Sequence, residues 1–287
     1  MTLAKNKMFN QIKTILLLGI LTGILLFIGQ FFGGSQGLII ALTFSVLMNF
    51  GAYFFSDKIV LAMYGAKEAK KTEYKELHEL VEIVSKKAGL PKPKIFIIPT
   101  NTPNAFATGR NPKNAVVAFT EGIMTLLNKE ELEGVIAHEL AHVKNKDILI
   151  TTIAATIAGV ISYLAQMSQW FFFTGHNNEQ ERGSAVSLLL LAIITPIIAM
   201  IIQFAISRSR EFLADETGAR TIKNAKGLAS ALKKLEAGVQ MFPMRHANHA
   251  TSSLFIVNPF SAKGLISLLS THPSTEERVK KLNSLKL

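Results

Sequence analysis

Cysteine is absent from all 287 residues. That excludes disulfide frameworks, thiolate zinc sites and cysteine nucleophiles, so any bound metal must be held by histidine and carboxylate. Charge is also scarce, with Asp, Glu, Lys and Arg making up 18% of the chain. Aspartate occurs only three times, as Asp57, Asp147 and Asp215. Hydrophobic residues reach 49% and the mean hydropathy is +0.31, values unusual for a soluble domain. Their distribution explains them. No charged residue occurs from Thr14 to Ser56, from Ile148 to Asn178, or from Gly183 to Ser207. Each run exceeds the roughly 20 residues an apolar helix needs to cross a bilayer.

The first run divides into two predicted spans, Thr14–Phe32 and Gly37–Phe55, separated by the turn-forming Gly33-Gly34-Ser35-Gln36. It is too long for the apolar region of a cleaved signal peptide, and a second span follows at once. The later runs predict spans at Ile148–Met167 and Ala185–Ile206. Thr151, Thr152, Thr156, Gln166 and Gln169 soften the third span, so a buried helical hairpin is its alternative.

The net charge of +11 raises the question of nucleic acid, but its placement argues for a membrane instead. Three lysines precede the first span, fourteen Lys and Arg lie between Lys58 and Lys146, and thirteen between Arg208 and Lys286. The loop at Gly33–Gln36 carries none, and the loop between spans three and four carries only Arg182. Basic residues concentrate on the cytoplasmic side of membrane proteins. The N-terminus, the middle segment and the C-terminal segment are therefore expected in the cytoplasm, where the same charge attracts anionic headgroups.

Between the spans, Ala66–Leu90 predicts an amphipathic helix, with Leu77, Leu80, Val81, Val84 and Ala88 at helical spacing, stopped by Pro91 and Pro93. Lys94–Pro99 and Ala115–Phe119 read as short strands, with a turn and a further strand candidate in Asn101–Gly109. A short helix at Glu121–Leu127 precedes Asn128, which with Glu131 forms a capping box for the next helix. That helix is predicted to continue through Lys144-Asn145-Lys146-Asp147 into span three. Helices near Ser207–Arg220, at Ala225–Ala237 and at Thr275–Leu285 complete the chain, with Gln240–Pro259 irregular. No internal repeat is present.

The capped helix carries His138-Glu139-Leu140-Ala141-His142. Its two histidines lie one turn apart on one face and can reach a single Zn²⁺, while Glu139 projects from an adjacent position where it can take a proton from water. Catalytic zinc usually has three protein ligands. The third must lie on the same side of the membrane, which makes residues after Ile206 eligible. Glu211 is the first carboxylate there, with Asp215 one turn further on the same face and able to orient a ligating histidine. Asp147 is a second candidate for that role, or else marks the cytoplasmic end of span three. An ion pair with Arg208 or Arg210 is the competing role for Glu211. His246, His249 and His272 compete for the ligand or oxyanion role, with Arg208 and His249 the candidate oxyanion donors. His78-Glu79 begins the same motif but meets Glu82 instead of a second histidine. His176 lies in the loop on the far side of the membrane.

With these residues in hand, the chain resembles the M48 family of zinc endopeptidases, and within it the bacterial membrane branch. The resemblance rests on His138–His142 and Glu211-Phe212-Leu213-Ala214-Asp215, separated by two hydrophobic segments. It is carried further by Pro103–Gly109, Asn145-Lys146-Asp147 and Thr271-His272-Pro273-Ser274 through Arg278. It implies that His138, His142 and Glu211 bind one zinc ion per chain, that Glu139 is the base, and that Asn104–Thr108 lie near the substrate cleft. It further implies quality control of misfolded or damaged membrane proteins in the bacterial inner membrane. A related eukaryotic branch processes prenylated CaaX proteins but carries more spans.

The expected architecture is mainly α with a small β-sheet: an integral membrane, zincin-like metalloprotease on about four transmembrane helices. Its parts are an N-terminal helix pair (1–56), a cytoplasmic zincin part (57–147), a second helix pair (148–206) and a cytoplasmic C-terminal part (207–287). A strand edge in the Lys94–Phe119 region is placed to hold an extended substrate by main-chain hydrogen bonds. His142 lies six residues from Ile148, about 9 Å along a helix, so the site is expected near the headgroup layer. The middle segment is placed to cover it. The partners are unfolded or membrane proteins and the bilayer, with no nucleic acid; nothing in the sequence speaks to the oligomeric state. Two rivals remain. A structural or sensing zinc protein has no use for Glu139, and a channel would need charge within the spans.

Overall fold

A single glycine reverses the first long helix. α1 (Thr2–Met63) turns back on itself at Gly34, whose φ of 55° and ψ of −142° lie where a residue with a Cβ is strained. The arms then run antiparallel in close contact. A Cβ on Gly29 or on Gly37 would meet the other's carbonyl oxygen, and Asn49 Nδ2 donates to Thr22 Oγ1 at 2.9 Å. The second arm, from Gly33 to Met63, is long and apolar enough to cross a membrane, and only 11% of its apolar window is buried. The first arm contains a shorter apolar stretch, Leu18–Phe27.

The computed structural model describes residues 2–154, 156–157, 208–244, 252–258 and 273–287. Most of the expected third span and all of the fourth lie outside these residues, as do His176, His246, His249, His272 and the Arg208 side chain. Among the described residues the chain is mostly helical with one small mixed sheet.

The predicted helix at Ala66–Leu90 is shorter than expected. α2 spans Lys75–Ala88, with Gly89 as a left-handed C-cap. The apolar repeat begins only at Leu77; before it, Lys67–Glu68 form a two-residue strand, β1, against Phe96 and Ile97. The other strands are β2 (Lys94–Ile98), β3 (Ala105–Thr108) and β4 (Val116–Thr120). They lie in the order β1-β2-β4-β3. β2 and β4 are parallel, and β3 is antiparallel to β4 with Ala105 opposite Phe119. One face of the sheet packs Ile95, Ile97, Val117 and Phe119 against α2 and the motif helix. The other packs Phe106, Val116 and Ala118 against Val60 and Leu61 of α1 and against Phe255. Covering on both faces explains why every residue of β3 and β4 is buried.

α3 (Glu121–Leu126) is capped by Thr120, and α4 (Lys129–Asn145) by the reciprocal Asn128–Glu131 capping box. α4 is enclosed on almost all sides. α5 (Arg208–Ile222) and α6 (Lys226–Met241) pack against it, and α7 (Thr275–Asn283) packs against both. The crossings are close because glycines face backbone. A Cβ on Gly134 would lie 2.6 Å from Leu228 N, and one on Gly218 would lie 2.9 Å from Ala137 C and His138 N.

The motif helix does not run unbroken into the next segment, as the sequence had implied. α4 ends at Asn145, Lys146 takes a left-handed conformation (φ 57°), and a new helical segment starts at Ile148. A left-handed lysine costs about 1–2 kcal/mol. The break lets Asp147 fold back towards His142.

Candidate metal centre

α4 presents His138 and His142 one turn apart, with their Nε2 atoms 3.1 Å from each other. α5 brings Glu211 to face both, with Oε2 3.6 Å from His138 Nε2 and Oε1 3.7 Å from His142 Nε2. Each histidine is held from behind by a carboxylate. His138 Nδ1 lies 2.9 Å from Asp215 Oδ1, and His142 Nδ1 lies 3.2 Å from both Asp147 oxygens. These contacts favour Nδ1 as the donor on each ring, so that each Nε2, once free of a proton, aims its lone pair at the same point. Two nitrogens and a carboxylate converging on that point could hold a cation between them. Two nitrogens bound at 2.0–2.1 Å with tetrahedral angles would lie about 3.3 Å apart, close to the spacing found. Among the described residues, His138, His142 and Glu211 form one group whose ligand atoms all lie within 4.8 Å of one another, enough to hold a metal ion.

The electrostatics agree. Burial alone would lower His142, yet the negative charges of Asp147 and Glu211 outweigh it and push its pKa up to about 10. The carboxylates thus favour positive charge between them, whether a proton or a metal. Burial likewise opposes charge on Asp215, but the Arg278 guanidinium and its hydrogen bonds, with help from His138, hold it down at about 2.

Arg278 entered the sequence analysis only as the end of a stretch that carries the resemblance, without a role. It is buried to 1% exposure and grips Asp215 with two hydrogen bonds, Nε to Oδ2 at 2.8 Å and Nη2 to Oδ1 at 2.7 Å. The chain Arg278–Asp215–His138 thereby ties α7, α5 and α4 to one imidazole. A signal existed: Arg278 stands four residues before Leu282, on the stripe that Val279 and Leu282 turn inward.

Glu139 sits beside the triad, buried at 2% exposure, and hydrogen-bonds the backbone of Ala107 on β3. Burial, reinforced by the charge of Glu211, raises its pKa to about 7. A carboxyl near neutrality can both accept and return a proton. Glu139, the three candidate ligands, Ala107 and the segment Leu254–Ile256 line one cavity.

The structure thus brings together His138, Glu139, His142 and Glu211, with Asp147 and Asp215 as orienting groups. Of the Asn104–Thr108 stretch, Ala107 lines the same cavity. His78 is elsewhere, its Nε2 bonded to the Ala69 carbonyl at 2.8 Å. Residues 254–256 line the cavity together with Ala107 of the middle segment.

A His-Glu-x-x-His helix against a small mixed sheet, with a glutamate from a later helix facing both histidines, defines a metalloprotease. A family model described as peptidase family M48 matches residues 71–286. A "Protease HtpX homolog" of Persephonella marina is 54% identical over 277 residues, covering 95% of this chain and 96% of that one. Another, from Pyrococcus furiosus, is 50% identical over 275 residues, covering 96% and 95%. The crystal structure of S. mikatae Ste24p is similar in fold, with a TM-score of 0.50 and 17% identity, covering 98% of this chain and 67% of that one. The chain belongs to peptidase family M48. It is a hydrolase whose substrates are proteins.

Proposed function

We propose that this chain is a membrane-bound, zinc-dependent endopeptidase acting on misfolded or damaged membrane proteins, with His138, His142 and Glu211 holding one Zn²⁺ and Glu139 as general base. The observation that carries the reading is the convergence of two imidazole lone pairs and a carboxylate beside a separate, near-neutral buried carboxyl. Zn²⁺ bound there supplies a Lewis acid for the scissile carbonyl and acidifies water. The remaining chemistry falls to the chain. Glu139 takes the proton of the attacking water on its carboxylate and returns it to the departing amine nitrogen. The Ala107 backbone holds that carboxylate in place, and Asp215 and Asp147 keep the proton of each imidazole on Nδ1.

The uncharged runs and the placement of basic residues support a multi-pass protein divided at 1–56, 57–147, 148–206 and 207–287, with its site in the cytoplasm close to the bilayer. Recognition through an edge strand reads backbone more than side chains, which suits unfolded substrates over one prenylated sequence. The test is cleavage of casein by detergent-solubilised, zinc-restored protein, wild type against Glu139→Gln. Activity should vanish in the variant while bound zinc stays equal. Equal zinc with no cleavage by either protein would overturn the reading.

A further inference from the structure

β3 is the outermost strand of the sheet on the side of Glu139, and the Ala105 carbonyl on its outer edge is already occupied. Ile256 donates its N–H to the Ala105 carbonyl at 3.0 Å. The Asn104 carboxamide grips the next residue on both sides, with Nδ2 donating to the Val257 carbonyl at 2.8 Å and Oδ1 accepting from the Val257 N–H at 3.4 Å. The Ile256 carbonyl accepts from Arg278 Nη1 at 2.8 Å. Numbers rise along this segment as they fall along β3, with 256 beside 105 and 257 beside 104, so it runs antiparallel to the strand.

All four main-chain polar groups of two consecutive residues are therefore satisfied by groups joined to the centre. Arg278 is bonded to Asp215 and through it to His138, while β3 carries the Ala107 backbone bonded to Glu139. Just upstream, Leu254 and Phe255 share the cavity wall with His138, Glu139, His142 and Glu211. The side chains are apolar, and Phe255 is wholly buried edge-on to Phe106 and Tyr64, at 5.2 and 5.0 Å between ring centroids. Any buried segment needs partners for its main chain; the partners here are an edge-strand carbonyl, a carboxamide clamp and a buried guanidinium, all beside the proposed base. An extended peptide held by strand addition takes up these kinds of groups.

We propose that residues 254–257 are an internal pseudosubstrate: they occupy the peptide groove, and a protein substrate enters by displacing them and taking over their bonds to Ala105, Asn104 and Arg278. The inference rests on the protease reading above. It names the preferred competitor by chemistry, an extended apolar stretch such as an unfolded membrane protein exposes, and it sets a threshold that polar, folded chains do not pass.

The test uses the full chain in detergent with Zn²⁺ restored. Ile256→Pro removes the N–H that bonds Ala105. It should raise kcat/KM for casein by roughly tenfold, mainly through KM, because a tethered competitor acts at an effective concentration in the millimolar range. Unchanged or lower kcat/KM in a folded variant would overturn the proposal.

A second measurement does not depend on that variant folding or on turnover. Ser253→Cys is introduced into the Glu139→Gln protein, giving one thiol in an otherwise cysteine-free chain. A fluorescein-labelled synthetic peptide with the sequence of residues 253–258 is titrated in, and anisotropy reports its binding. Maleimide labelling of position 253 should accelerate as the peptide binds. Failure of the peptide to bind, or binding without faster labelling, would overturn the pseudosubstrate. Mass spectrometry showing the wild type cut between 255 and 256 would also overturn it, making the segment a substrate. If neither wild type nor Ile256→Pro cleaves casein, the protease reading fails, while the labelling experiment still decides whether the segment is displaceable.

Discussion

Gly218 is where α5 touches the motif helix, and replacing it with alanine should weaken metal binding without altering any ligand. The added Cβ would lie 2.9 Å from Ala137 C and His138 N and 3.0 Å from Ala137 O, whereas ordinary contact begins near 3.4 Å. Those neighbours are backbone inside a packed helix, so relief must come from α5 moving away by roughly 0.5 Å, the difference between 3.4 and 2.9. Overpacking of this kind costs about 1–3 kcal/mol. The same movement carries Glu211 and Asp215 away from His138, one lengthening a ligand distance and the other loosening the imidazole. Disturbing such outer support typically lowers metal affinity by about 10–100-fold. The comparison is Gly134→Ala, which crowds Leu228 of α6 instead and should cost similar stability while sparing the α4–α5 spacing. Zinc affinity would be measured by competition with a chromophoric chelator, and stability by thermal unfolding in the same detergent. If Gly218→Ala is destabilised like Gly134→Ala but binds zinc as tightly as wild type, the spacing between these helices does not set the site.

Other outcomes follow from the buried charges and the metal group. Asp215→Asn removes the hydrogen-bonded carboxylate of the buried Arg278, leaving only the looser Glu211 at 3.9 Å, and should cost up to about 3–5 kcal/mol in chemical unfolding; adding Arg278→Met should recover part of the loss, and no recovery would refute the charge argument. Adding Zn²⁺ to metal-free protein should raise its melting temperature progressively, equivalent to about 2.7 kcal/mol at 100-fold excess over Kd, and His138→Ala should abolish the shift. Burial opposes charge on Glu131, but Lys234, Ser230 and the Asn128 N–H hold its pKa below the ordinary 4.5. Its stabilisation is therefore complete above that value and lost as pH falls through the depressed one. Glu131→Gln should be about 1 kcal/mol less stable than wild type near pH 7, with the gap closing as the pH falls below the ordinary 4.5 and through the depressed pKa. A gap that stays constant would assign the effect to packing.

Local signals were legible wherever one residue type has one physical use. The Asn128–Glu131 box and the paired histidines follow from short-range geometry and appear as expected. Glu211 was reachable on the expectation that two further spans return the chain to the side of His138, which makes it the first carboxylate eligible after Ile206. The misses are tertiary. Lys67–Glu68 form a strand because β2 has an open edge to fill, which no local propensity records. Lys146 turns left-handed because Asp147 finds a partner five residues back. Arg278 was passed over because a basic residue in a polar helix looks solvated until a buried aspartate 63 positions earlier is placed beside it.

The centre also has an order of birth. His138 and His142 leave the ribosome before the 148–206 region, Glu211 and Asp215 follow it, and Arg278 comes last, 140 positions after the histidine it helps to fix. Domains fold as synthesis proceeds from the N-terminus. The nascent chain therefore exposes its first two candidate ligands long before it possesses a third, and longer still before the imidazole is locked. Synthesis therefore delivers the candidate ligands ahead of the arginine that fixes one of them in place.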